Sequence, residues 1–169
     1  MHKKLALILL LVSFHLYAEK PADWREPDSI KSILSIEESE ADLPRGLAHC
    51  VAYTESRFNP SARSRLVDNY RSCGLMQLYR RYIGELVGRF SSDPKGFRWD
   101  DPGDSAEVGC RYLAYLIKRF DGSVYLGLCA YNFGPTSLDN IKQWSDIPKP
   151  CRRYADGIMK LLDEYQEEW

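Results

Sequence analysis

The chain has little histidine and lacks the cysteine spacing of a metal site. Its three histidines include two near the N-terminus, so His49 stands alone in the rest of the 169-residue sequence. The five cysteines form no C-x-x-C pair. Because structural zinc needs clustered Cys and His ligands, the sequence predicts no metal site and no cofactor, and His49 is interpreted as a packed core residue.

An excess of positive charge is also missing. The formal net charge is −1, and it becomes −3 once Lys3 and Lys4 near the N-terminus are set aside. Proteins that bind nucleic acid usually present a basic face, so no nucleic-acid partner is expected. The arginines that occur in scattered pairs are expected on a solvated surface: Arg63, Arg65, Arg80, Arg81, Arg152 and Arg153.

No apolar run is long enough to span a membrane. The longest, Leu5 to Val12, is well short of the ~20 residues that a spanning helix needs. Positive charge precedes it and Leu16-Tyr17-Ala18 follows it, which predicts a signal peptide over residues 1–18. We therefore expect an exported, periplasmic or extracellular protein without a stable membrane anchor. An uncleaved anchor is the alternative, because Leu16 is a weaker cleavage signal than alanine.

All five cysteines follow the predicted leader: Cys50, Cys73, Cys110, Cys129 and Cys151. Export to an oxidising compartment favours disulfide bonds. An odd number leaves at least one thiol unpaired or used between chains, and the sequence does not choose the pairing. Because the first cysteine lies far beyond the leader, lipid attachment there is not expected.

Alternating strand-like patterns are nearly absent, and apolar residues recur instead at helical spacing. This pattern predicts a mostly α fold. Residues 19–43 are expected to form a loose polar arm and a short helix capped by Asp28. Residues 44–169 would form the main domain.

Three longer helices are predicted in the second half of the chain. Asp104 and Glu107 have the spacing of a capping box at the start of the first. The second covers residues 124–131 and is closed by Gly134. The third follows Pro148 and carries apolar residues at helical spacing to its end.

Glu55 is the most informative residue of the chain. It shares one helix face with Leu47 and Val51, at positions i, i+4 and i+8. A glutamate on a buried stripe is costly to ionise. Partial burial raises a carboxyl pKa, which is what a general acid near neutral pH requires. The simpler interpretation is a solvated glutamate at a frayed helix end.

Three sequence blocks decide between these interpretations. They are Glu55-Ser56-Arg57-Phe58-Asn59-Pro60, then Gly74-Leu75-Met76-Gln77, then Ala130-Tyr131-Asn132-Phe133-Gly134-Pro135. In this order and spacing they resemble the soluble lytic transglycosylases, which are goose-type-lysozyme-like enzymes that cut the glycan of bacterial peptidoglycan. The resemblance covers most of the chain after the leader and implies a single lysozyme-like helical domain with a substrate groove.

The resemblance implies that Glu55 is a single catalytic acid and base. It would protonate the oxygen between N-acetylmuramic acid and N-acetylglucosamine, and then accept a proton from the muramyl C6 hydroxyl. Attack of that hydroxyl on C1 leaves a 1,6-anhydro sugar, without hydrolysis and without a cofactor. Tyr131 would orient the Glu55 carboxyl through its hydroxyl group.

Further residues are assigned by the same resemblance to contacts with the glycan strand: Ser64, Met76, Gln77, Asn132 and Tyr154. Ser64 would hydrogen-bond the carboxylate or the sugar, with loop capping as the alternative. Met76 is more simply a packing residue. Asn132 would shape the turn beneath Tyr131.

The sequence departs from the family pattern in two places. The segment from Ser64 to Gly74 is longer than the usual spacing. Pro150 and Cys151 stand where the family commonly has a Glu-Thr pair, so that contact with the muramyl group or its peptide is not carried over.

Two other functions stay open on the sequence alone. Water could attack instead, as in a lysozyme-type hydrolase, if one of Asp68, Asp100, Asp101 or Asp104 served as a second carboxylate. A cell-wall-binding scaffold without turnover is the other alternative, although the intact Glu55, Gln77 and Tyr131 argue against it.

Overall fold

The computed structural model describes residues 21–139, 141 and 143–168. The predicted signal peptide lies outside these residues. The helices are α1 (Asp28–Glu40), α2 (Leu47–Ser56), α3 (Ile83–Phe90), α4 (Pro102–Arg119), α5 (Val124–Phe133) and α6 (Lys149–Glu168). Two short strands, β1 (Ser72–Cys73) and β2 (Leu78–Tyr79), pair in antiparallel fashion. The predicted mostly helical fold is confirmed.

Helix α2 is the central element of the core. Its residues from Leu47 to Tyr53 are all buried, as expected for a helix that is apolar all round. Helix α6 packs against α2 and α5, and α4 packs against α1, α3 and α5. Glu55 therefore sits at the end of a helix that is held from several sides.

The start of α2 is fixed by a carboxylate from α1. Glu38, which is buried, accepts hydrogen bonds from the backbone N–H groups of Gly46 (2.7 Å) and Ala48 (2.9 Å). Burial raises the pKa of Glu38, whereas these two N–H groups lower it. Gly46 has no side chain to cap the helix, so Glu38 supplies the acceptor that the first turn needs.

Replacing Glu38 by alanine should lower the free energy of unfolding by about 2–4 kcal/mol, since two buried N–H groups lose their acceptor. Urea denaturation at neutral pH measures this. Glu40→Ala is the matched control, because its exposed ion pair with Arg111 contributes under about 1 kcal/mol. Equal stability of the two variants would contradict the capping role.

The N-terminal arm is docked in its described part, so the expectation of a loose arm is wrong for residues 21–27. Trp24 is buried and stacks on Tyr53, with ring centroids 4.6 Å apart. It also meets Phe58 edge to face at 5.1 Å. The physical reason is that burial of the large apolar ring of Trp24 stabilises the docked arm, although the residues around it are polar.

A second pair of contacts holds the same arm. Glu26 lies 2.6 Å from Nδ1 of the buried His49, and Tyr53 donates a hydrogen bond to Asp23. His49 is thus a buried polar residue with a structural partner, in line with its interpretation as a core residue.

Two predicted helix caps were misplaced. Asp101, and not the Asp104–Glu107 pair, caps α4 by accepting from the N–H groups of Gly103 and Asp104. Asp104 instead accepts from the N–H of Arg98. Asp28 lies in the first turn of α1 and does not cap it. Three aspartates lie at the start of α4, so composition alone could not tell which one occupies the cap position.

The segment before α3 forms a small β-hairpin. Ser72 pairs with Tyr79 and Cys73 with Leu78. Gly74, in the turn, has φ +86°, and a Cβ there would lie 2.3 Å from the carbonyl oxygen of Trp99. Only glycine fits this left-handed, crowded position, which keeps the turn against the start of α4.

All five cysteines are buried and free, so the expectation of disulfide bonds is not borne out in this structure. Each lies on a different element and fills the core as a small apolar side chain. The thiols of Cys129 and Cys151 are hydrogen-bonded to each other.

Within the described residues, no cluster of three or more His, Cys, Asp or Glu side chains is placed to hold a metal ion. Nor does any helix in that part of the chain have the length and apolar character to cross a membrane.

Candidate active site

Glu55 lies in the last turn of α2, where the backbone turns sharply away. Arg57 and Phe58 follow in the left-handed region, at φ 53° and 62°. Phe58 is buried and anchors this exit. The hydroxyl of Ser56 donates to the carbonyl oxygen of Leu75 at 2.8 Å, which ties the end of α2 to the turn between β1 and β2.

The carboxyl group of Glu55 is the desolvated end of a partly exposed residue. Burial raises its pKa from the ordinary 4.5 to about 7, although a hydrogen bond from Tyr154 lowers it in part. The Tyr154 hydroxyl donates to Oε1 of Glu55 at 2.6 Å. A carboxyl group in this setting holds its proton near neutral pH and can donate it to a leaving group.

Tyr131 makes a different contact from the one expected. Its hydroxyl donates to the carbonyl oxygen of Met76 at 2.8 Å and not to Glu55. The expected partnership with Glu55 is therefore wrong, and Tyr154 on α6 takes that place. Tyr131 is nevertheless close enough to Glu55 to be affected by its charge. Burial is the main cause that raises the pKa of the Tyr131 hydroxyl, and the Glu55 carboxylate is the next.

Replacing Tyr154 by phenylalanine should raise the pKa of Glu55 further above 7. The reason is that the hydrogen bond from Tyr154, which the variant lacks, stabilises the carboxylate form. Titration of a ¹³C label on the Glu55 side chain measures the shift by NMR. Tyr131→Phe is the matched control and should leave this pKa nearly unchanged. The reverse pattern would show that Tyr131 is the partner of Glu55.

Gln77 and Met76 lie in the turn that Ser56 ties to the end of α2. Gln77 has φ +49°, and its side-chain amide donates to the carbonyl oxygens of Gly74 (2.9 Å) and Ala62 (3.1 Å). Its side chain thus stabilises the turn. The Met76 side chain is fully buried, so it packs and does not form a substrate surface. Its contribution to the site is the carbonyl oxygen that receives Tyr131.

Ser64 does not reach the carboxyl group of Glu55. Its hydroxyl donates to the carbonyl oxygen of Arg65 (2.8 Å) and accepts from the N–H of Ser72 (2.9 Å). The loop-capping alternative is therefore the contact that the structure shows. Asn132 is exposed near the C-terminal end of α5, next to Tyr131 in sequence.

The four candidate second carboxylates are all engaged elsewhere. Asp101 caps α4 and Asp104 accepts from Arg98. Asp100 lies 3.8 Å from the Arg98 guanidinium, and Asp68 lies 3.9 Å from that of Arg81. Among the described residues, no carboxylate contributes to the pKa shift of Glu55.

The family model for the Transglycosylase SLT domain matches residues 33–149, well over half of the chain. The chain belongs to the SLT family. The matched residues include Glu55, the turn that carries Met76 and Gln77, and Tyr131.

The chain is similar to the soluble lytic murein transglycosylases of Escherichia coli K12 and O157:H7. Each is 30% identical over 101 residues, which make up 57% of this chain. The match spans only 15% of the length of either relative.

Solved structures share the fold. An inactive mutant of lytic transglycosylase Slt from Pseudomonas aeruginosa, with glutamate changed to glutamine, matches with a TM-score of 0.69 and 22% identity. The 70 kDa soluble lytic transglycosylase of E. coli matches with a TM-score of 0.69 and 24% identity. These alignments cover 86% and 85% of this chain and 25% of each larger protein. The predicted fold of the SLT family is thereby confirmed.

The sequence pattern does not predict the contacts of two residues near the site, Ser56 and Tyr112. Ser56 lies inside the first block, but nothing in the pattern indicates its bond to Leu75. The ring of Tyr112 on α4 lies 5.6 Å from that of Tyr131, and this neighbour arises only from the packing of α4 on α5.

Proposed function

We propose that this protein is an exported lytic transglycosylase that cleaves peptidoglycan strands between N-acetylmuramic acid and N-acetylglucosamine. The observation that carries the proposal is the Glu55 carboxyl group, which burial keeps protonated up to a pH of about 7 at the end of α2. Membership of the SLT family supports the same reaction class.

In the first step Glu55 acts as a general acid. Its proton moves to the glycosidic oxygen as the bond to C1 of the muramyl residue breaks, and the N-acetylglucosamine side leaves as an alcohol. With a pKa of about 7, about half of the molecules hold this proton at pH 7. General acid help of this kind contributes roughly 10²–10⁴ in rate.

In the second step the Glu55 carboxylate acts as a general base. It accepts the proton of the muramyl C6 hydroxyl while that oxygen bonds to C1, which gives the 1,6-anhydro ring and restores the acid. The Tyr154 hydroxyl, 2.6 Å from Oε1, stabilises the carboxylate between the two steps. Neighbouring acetamido oxygen of the substrate would support the positive charge at C1.

Within the described residues, no carboxylate contributes to the pKa shift of Glu55, which favours this course over hydrolysis. A retaining or inverting hydrolase needs two carboxyl groups across the bond, and the described contacts place the four candidate aspartates in caps and ion pairs. The related P. aeruginosa Slt is inactive with glutamate replaced by glutamine, which supports dependence on one glutamate.

Digestion of purified peptidoglycan by the protein without residues 1–18 tests the proposal. We expect muropeptides lighter by one water than hydrolysis products, ending in 1,6-anhydro sugars. Products with reducing ends would establish a hydrolase and a second carboxylate. No release by a folded protein would favour the binding scaffold.

A further inference from the structure

An exposed aromatic surface lies on and around the hairpin, whose turn is bonded to Ser56 and Tyr131 of the proposed site. We define the hairpin platform as Tyr70, Tyr79 and Tyr82 with the adjoining Leu66 and Val67. The rings of Tyr70 and Tyr79 are 6.1 Å apart and those of Tyr79 and Tyr82 are 5.8 Å apart, both edge to face. Tyr82 is 51% exposed and Val67 60%. Exposed apolar residues that form one contiguous surface mark a binding site more often than scattered ones do.

A second tight turn, which precedes β1, helps to hold these rings in place. Val67 and Tyr70 exchange two backbone hydrogen bonds of 2.8 Å across the turn at Asp68 and Asn69, both with positive φ. This is the two-residue turn that suits a twisted hairpin. The Tyr79 hydroxyl donates to the carbonyl oxygen of Val67 at 2.8 Å. The rings are therefore presented by a fixed backbone.

The hairpin platform continues from the proposed site. Strand β2 begins directly after Gln77, and Met76 before it receives the Tyr131 hydroxyl. Side chains alternate along a strand, so Leu78 enters the core while Tyr79 lies on the opposite, partly exposed face. A polymer that occupies the site and runs along β2 would meet these rings.

Positive charge surrounds the rings. Residues 63–82 contain five arginines and one acidic residue, Asp68. The Arg81 guanidinium lies 6.0 Å from the Tyr70 ring and 5.8 Å from the Tyr82 ring. Arg65 and Arg80 are exposed, and neither has an ion-pair partner within the described part of the chain. Tyrosine and arginine together are the residue types enriched in binding surfaces.

We propose that the hairpin platform binds the peptidoglycan strand beyond the cleavage site. The C–H faces of pyranose rings would pack on the tyrosine rings, whose faces carry negative potential. Arg65 and Arg80 would contact the carboxylates of the stem peptides. This inference rests on the proposed function, since it names the part of the same substrate that lies outside the reacting bond.

The first test measures binding without turnover. In a Glu55→Gln background, the double change Tyr70→Ala and Tyr82→Ala should weaken the Kd for purified sacculi about tenfold, by analogy with aromatic rings that stack on bases. The pair Tyr70→Phe and Tyr82→Phe keeps the rings and should keep the affinity. Ile36→Ala, an equally exposed apolar residue on α1, is the control. Unchanged affinity in the alanine pair, with an unchanged melting temperature, would overturn the proposal.

The second test separates the sugar from the peptide. Changing Arg65 and Arg80 to alanine should weaken binding to intact sacculi and reduce its salt dependence, but leave binding to amidase-treated, peptide-free glycan unchanged. The tyrosine variants should weaken both. Lys118→Ala removes an exposed charge from α4 and serves as the control. Equal loss by the arginine variants on both glycans would overturn the assignment to carboxylates.

Turnover distinguishes this inference from the proposed function. If the protein with Glu55 intact cleaves sacculi, and the tyrosine variants bind and cleave as it does, only the binding role of the hairpin platform is overturned. If nothing is cleaved but binding to sacculi depends on the tyrosines, the proposed reaction is wrong and the binding surface stands.

Discussion

Replacing Glu55 by glutamine should reduce the release of fragments from peptidoglycan by at least about 10²–10⁴-fold, because glutamine cannot donate or accept the catalytic proton. The shape of the side chain is kept, and its oxygen can still accept from the Tyr154 hydroxyl, which lies 2.6 Å from Oε1 of Glu55. Mass spectrometry of the soluble products after digestion measures the loss.

Two measurements make this result specific. Glu85→Gln on α3 changes an exposed glutamate and should leave release unchanged. Binding of the Glu55→Gln protein to sacculi should persist, since the substitution removes a proton donor and keeps the shape of the side chain. Full release by Glu55→Gln would remove Glu55 from the mechanism and overturn both the transglycosylase and the hydrolase interpretation.

The same substitution should stabilise the protein at alkaline pH. Burial raises the folded-state pKa of Glu55 from 4.5 to about 7, so between these pH values the folded state holds a proton that the unfolded state has lost. The stability of the native protein therefore falls as pH rises through this interval and then levels off. At 1.36 kcal/mol per pH unit, the loss is about 3 kcal/mol.

Glu55→Gln has no such group and should lack this loss. Relative to that of the native protein, its free energy of unfolding should be larger at pH 8 than at pH 4.5, by about 3 kcal/mol. Urea denaturation at both pH values measures the difference. Glu85→Gln should show no comparable gain. A difference independent of pH would mean that the Glu55 carboxyl is not desolvated in solution.

The two predictions describe opposite effects of one residue. A desolvated carboxyl group supplies the acid for catalysis, and it also destabilises the folded protein once the group ionises. Loss of stability at a functional site is common, because the site is shaped for the reaction and not for the fold.

The sequence alone predicted that Glu55 lies at the end of a helix, and it lies in the last turn of α2. Its spacing from Leu47 and Val51 follows from the geometry of a helix, which needs no tertiary information. The closing glycine of α5, Gly134, was also predicted, and it is the C-cap of that helix. Features of this kind depend only on residues that are close together in the sequence.

The partners of polar groups were predicted less well. Tyr131 was expected to hold Glu55, but Tyr154, which is 99 residues away from Glu55 in the chain, does so. Both are partly buried tyrosines, and the choice depends on how far α5 and α6 each advance toward the end of α2. The spacing of residues in the sequence does not reveal how far each helix advances.

The sequence by itself determined the helical class, the position of Glu55 at the end of a helix and the resemblance to the SLT family, because these depend on short-range periodicity and on motif order. Only the tertiary structure decided that Trp24 docks the arm, that Asp101 caps α4, that Ser64 closes its own loop and that the thiols stay free. Each of these depends on which surfaces meet when the helices pack, and that is set by the sum of many contacts far apart in the chain.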